Sequence, residues 1–97
     1  MDEAARLRAE ERRREAVCSS FMRIPRFPVD VARELLDAGY YRVDQLMGRS
    51  AESLIEEIKK KNKVQPAEHF LPALRMAIYF SETPNPDIKK LFLDQWV

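Results

Sequence analysis

The apolar positions of this chain recur at helical spacings, and the densest stretch lies late. Between Pro66 and Phe80, Phe70, Leu71, Leu74 and Ile78 fall three or four residues apart, with Ala73, Ala77 and Phe80 closing the stripe. That period marks one face of a helix turned toward a core. Pro72 cannot lie deep in a helix without removing a main-chain hydrogen bond, so the regular helix is predicted to start near Leu71.

Upstream, Val31 with Leu35 and Ala32 with Leu36 form adjacent i, i+4 pairs, which predict a second core-facing helix. Pro28 stands where the first helical residue belongs, with φ already set for it, and Gly39 supplies a left-handed stop after Ala38. Ser19 to Ile24 precedes Pro25 and is at most a short helix halted there. The unit reads as helix, tight turn, helix. VDQLM predicts one or two helical turns ended by Gly48, after which Ser50 is the N-cap and Glu52 the first-turn acid of a helix about a dozen residues long. Leu54, Ile55 and Ile58 point inward there, and the closing KKKNK places lysines where they complement the helix dipole. After the turn ETPNPD, with Thr83 or Asn85 as cap, DIKKLFLDQW predicts a short helix bringing Leu91, Phe92 and Trp96 to the core.

The first segment differs. DEAARLRAEERRREAV, Asp2 to Val17, contains good helix formers without Gly or Pro, and Glu10 to Arg14 and Arg12 to Glu15 are spaced for pairing. Its apolar positions are mostly alanine around Leu7, a thin stripe that packs weakly. Balanced charge favours a solvated face; the alternatives are an arginine arm for nucleic acid or a helix docking on a protein partner. The chain thus divides into a charged N-terminal helix or arm, residues 1–17, and a single helical domain, residues 18–97.

Composition agrees. The chain has 97 residues, 45% hydrophobic and 34% charged, with only 2 Gly. This fits one all-α domain, a small helical bundle, and lacks the turn glycines of an all-β protein. A net charge of +1 creates no global field toward DNA or acidic membranes, so any electrostatic site must be local. The lone Cys18 makes no internal disulfide and has no metal-ligand spacing, which fits a reducing cytoplasm. Charge from Asp2 onward and the lack of a long apolar run lead us to expect neither secretion nor membrane spanning.

Catalytic chemistry is not expected. His69 is the only histidine and has no acid or cysteine three or four residues on, so it reads as a packing or capping residue rather than a metal ligand. Ser50 and Ser53 are explained by helix capping. Glu56 and Glu57 are adjacent and point in different directions, which rules out a paired acid and base. No Gly-rich phosphate loop is present, and no cofactor or metal is implied. Arg75, within the most apolar helix, reads as a snorkelling or paired structural residue. Tyr40, Tyr41, Tyr79, Phe80 and Trp96 have base-stacking surfaces, but their positions fit core packing better.

One arrangement carries a resemblance. From Phe21 to Glu57 the Ile24-Pro25 turn, Ala32 with Leu35 and Leu36, the Gly39 stop, then VDQL and GRSAESL resemble a helix-hairpin-helix unit. With Arg75, Ala77, Ile78, Tyr79, Phe80 and Trp96, the span from Phe21 onward is similar to the small bacterial pathogenicity-locus or mitomycin-resistance-like family of helix-hairpin-helix proteins. The resemblance implies an all-helical bundle containing a helix-hairpin-helix (SAM-like) unit, and DNA-associated roles. In such a hairpin two glycines turn the backbone sharply, and free N–H groups at the next helix hold a phosphate oxygen. Here those positions are Arg26 and Pro28. Pro28 has no N–H, neither residue accepts positive φ as glycine does, and Asp30 repels a phosphate.

Two functions follow. The first is contact with a nucleic-acid backbone, without sequence specificity, through Arg23 and Arg26 at the turn and Lys59, Lys60, Lys61 and Lys63 as a second patch, which requires both patches on one face. The second is a protein-interaction or self-association module in which the hairpin is purely structural.

Overall fold

A computed structural model describes residues 3–97 and is all-helical, with no strand among them. Four α-helices, α1 (Glu3–Val17), α2 (Val29–Asp37), α3 (Ala51–Asn62) and α4 (Phe70–Glu82), form a small bundle. Single 3-10 turns at Ser20–Arg23, Val43–Leu46, Ile88–Lys90 and Leu93–Trp96 complete it. Asp2, the start of the expected first helix, lies outside the described residues.

α2 starts one residue later than the sequence predicts. Pro28 is its cap, at φ −64° and ψ 133°, and its carbonyl accepts the N–H of Ala32 at 3.2 Å. α2 buries Val31, Ala32 and Leu35, then stops at Gly39 (φ +97°), where the N–H of Tyr40 returns to the Leu35 carbonyl at 2.9 Å. Ser50 caps α3 as expected, its hydroxyl accepting the Ser53 N–H at 3.1 Å. α3 buries Leu54 and Ile58 and half-buries Ile55.

α4 begins at Phe70, so Pro72 is its third residue, where the first-turn N–H groups have no partner within the helix and a missing one costs nothing. Its buried face is Phe70, Ala73, Leu74, Met76 and Ala77. Met76 replaces Leu71, Ile78 and Phe80, which are only half-buried, because α4 is covered on two sides rather than along one stripe. Beyond it, the expected C-terminal helix is instead two 3-10 turns, the first capped by Asp87 rather than Thr83 or Asn85. Leu91 is buried there, but Phe92 is exposed.

α1 is exposed along its length except at Ala16. The intrahelical pairs expected for Glu10 and Arg12 do not form. Arg12 instead crosses to α2, pairing with Asp37 and approaching Glu34 at 3.7 Å. Glu34, mostly buried, also accepts from Asn62 Nδ2 at 2.9 Å, so its carboxylate ties three helices together. Among the described residues no helix is long and apolar enough to cross a membrane.

Candidate functional site

The turn between Ile24 and Pro28 is anchored by the burial of Ile24 and Phe27, with the Phe27 ring 6.2 Å from that of Phe21. Between them the chain needs a left-handed residue, and Arg26 supplies it at φ +61° despite its side chain. The guanidinium gives the compensating contacts. Arg26 Nε donates to the Leu91 carbonyl at 3.1 Å, and its central carbon lies 3.8 Å above the Phe92 ring. That spacing is a close cation–π contact. The C-terminal segment therefore rests on the turn at the side from which Arg26 would reach a ligand.

The start of α2 is also engaged. Asp30 accepts the Val31 N–H at 2.9 Å through one oxygen and meets His69 Nε2 at 2.7 Å through the other. His69 thus links the starts of α4 and α2. Arg75 is likewise structural, donating to the Trp96 carbonyl at 3.0 Å and to Glu52 at 3.3 Å. Arg23 differs from its neighbours: it is exposed and has no ion pair or side-chain hydrogen bond among the described residues.

The lysine run occupies the end of α3. Lys59 lies 3.7 Å from Glu56 and Lys61 3.6 Å from Glu57, while Lys61 also donates to the Ala38 carbonyl at 3.2 Å. Lys60 and Lys63 are exposed and unpaired among the described residues, with Lys63 closing the helix at φ +54°. The Ala38 contact fixes this run at the far end of α2 from Arg26. Nine helical residues separate the two sites, about 14 Å along the axis. The two groups thus sit at opposite ends of α2.

Beside the lysine run, Tyr40 is buried at 6% exposure and donates to Glu57 at 2.6 Å; Arg49 donates to the second oxygen of Glu57 at 2.9 Å. The Tyr40 hydrogen bond, with the nearby Arg49 and Lys61 charges, holds the Glu57 carboxyl below its usual range, while burial first and the bond to Glu57 second push the Tyr40 phenol up to about 12. A folded value above the unfolded value of 10.0 means that the unfolded chain ionises first as pH rises. The stabilisation is complete below about pH 10 and disappears between about pH 10 and pH 12, amounting to roughly 2 to 3 kcal/mol. Urea denaturation at roughly pH 9 and pH 11 should show about half of this loss, roughly 1.3 kcal/mol, in the parent chain and a smaller one in Tyr40→Phe; equal losses would show that Tyr40 does not carry it.

Neither Glu34 as an interhelical tie nor Arg42 and Phe80 as neighbours of Arg23 across a cleft is visible in the sequence. Both depend on contacts between residues distant in the chain. No family model, curated protein or solved structure matches this chain.

Proposed function

We propose that the chain is a small non-catalytic domain that binds a protein partner, and that its hairpin is a structural unit. The contacts of Arg26 carry this reading. The residue at the first glycine position of the resembled hairpin spends its guanidinium on Leu91 and Phe92, and the second position is a proline without an N–H. A phosphate arriving there would find no N–H at Pro28 and the Arg26 guanidinium already engaged. α1 exposes Leu7 as its one large apolar side chain before Val17 and so offers a partner little apolar area.

A second reading, contact with a nucleic-acid backbone, keeps support from Arg23, Lys60 and Lys63, which are exposed and unpaired among the described residues. NMR titration of the labelled chain with short single- and double-stranded DNA, at low and physiological salt, separates the two. We expect no joint response of Arg23, Arg26 and Lys59 to Lys63, with at most weak lysine shifts at low salt. A joint response that weakens steeply with salt would replace the protein-binding reading with the nucleic-acid one.

A further inference from the structure

An open cleft of about 540 Å³ lies between the 3-10 turns at Ser20–Arg23 and Val43–Leu46 on one side and the end of α4 with the following loop on the other. Its size falls within the range of ligand pockets, about 300–1,000 Å³. Two hydrogen-bond sets fix its walls. The Ser20 hydroxyl donates to the Tyr41 carbonyl at 3.2 Å, and Gln45 Oε1 accepts both the Tyr41 and Arg42 N–H groups, at 2.6 and 2.8 Å. The turns that frame the cleft are therefore tied together before anything binds.

The lining combines apolar surface from Val43, Phe80 and Pro84 with three charges. Arg42 pairs with Asp44 at 3.0 Å, which leaves Arg23 as the uncompensated cation. A cleft with one free guanidinium, a carboxylate in its wall and apolar surface beside them does not suit a polyanion, which would bring several phosphates against Asp44. It suits a single carboxylate flanked by apolar groups, since Arg pairs a carboxylate in a two-bonded fork.

Resting on the protein-binding reading above, we propose that this cleft binds an extended segment of a partner protein that sets one Asp or Glu side chain against Arg23 and adjacent apolar side chains against Val43, Phe80 and Pro84. The segment need not be long, because one ion pair at the rim gives selectivity and the apolar wall gives area.

The test is selection of random heptapeptides displayed on phage against the full chain and against Arg23→Glu. Arg23 makes no ion pair or side-chain hydrogen bond among the described residues that the exchange would break, and equal thermal unfolding of the two chains confirms that both are folded. The parent chain should enrich peptides with an acid beside apolar residues, and the most enriched one, made synthetically, should shift the amides of Ser20, Arg23, Val43 and Ser81. Arg23→Glu should bind that peptide at least about tenfold more weakly and should itself select basic peptides. Peptides without acid bias, bound equally by Arg23→Glu, or shifting residues elsewhere would overturn the cleft assignment and leave a protein-binding role on another surface standing. Displacement of the peptide by single-stranded DNA at equal concentration would overturn it in favour of nucleic acid. An empty selection combined with the salt-dependent DNA response described above would overturn both readings.

Discussion

Leu74→Ala is expected to destabilise the chain by about 3 kcal/mol, roughly 15 °C in Tm for a domain of this size. Leu74 is fully buried in the middle of α4 and belongs to the same core as Phe21, Leu35, Leu54 and Ile58 from the surrounding elements. Removing its side chain loses transfer free energy and leaves a cavity, which helices held on several sides do not close. Because a domain's total stability is about 5–15 kcal/mol, the loss is a large share of it. Leu7→Ala in α1, where the side chain is 56% exposed, should shift stability by less than about 0.5 kcal/mol. Urea denaturation of both variants checks the pair. A loss below about 1 kcal/mol for Leu74→Ala would mean that α4 is not the centre of the core.

The second prediction concerns Arg26, where two replacements should separate backbone from side chain. Arg26→Ala loses the contacts with Leu91 and Phe92 but keeps a β-carbon at φ +61°; we expect a loss of about 2 to 3 kcal/mol. Arg26→Gly loses the same contacts but relieves the left-handed strain, so it should be about 1 kcal/mol more stable than the alanine variant. Both should move the Leu91 and Phe92 resonances. If alanine proved as stable as glycine, the turn would not be left-handed at this residue. Neither replacement gives Pro28 an N–H, so neither should create a phosphate grip.

The helices that follow local rules could be read from the chain. Ser50, Gly39 and the i, i+4 pairs of α2 act through neighbours a turn away, so their chemistry is visible without knowing the fold. Sequence alone sets Pro28 one step too far into its helix because a proline at the first helical position and one at the cap have almost the same φ. The C-terminal segment was harder. DIKKLFLDQW has helical spacing, yet its shape is set by Leu91 seating in the core, Trp96 packing at a tilt against Tyr79 with centroids 5.2 Å apart, and the Trp96 indole donating to the Lys90 carbonyl at 2.6 Å. These anchors pin both ends of a segment too short for a stable helix. The candidate site was least legible. Arg26 lies 65 residues from the carbonyl it holds, and no spacing rule relates the two. From sequence, Arg23 and Arg26 look equivalent; only folding leaves one free and engages the other. The separation of the lysines from the arginines likewise depends on the contact of Lys61 with Ala38, a consequence of how α3 crosses α2.

The molecule measures 45 × 24 × 23 Å along its principal axes, nearly twice as long as it is wide. Such a body tumbles at two rates, slowly about its short axes and faster about the long one. Amide vectors lying along the long axis then relax as if they belonged to a larger protein, while those across it report a smaller one. Helices tilted differently to that axis will therefore give different apparent correlation times in a strictly monomeric chain, and a long value confined to one helix is a mark of shape rather than of association.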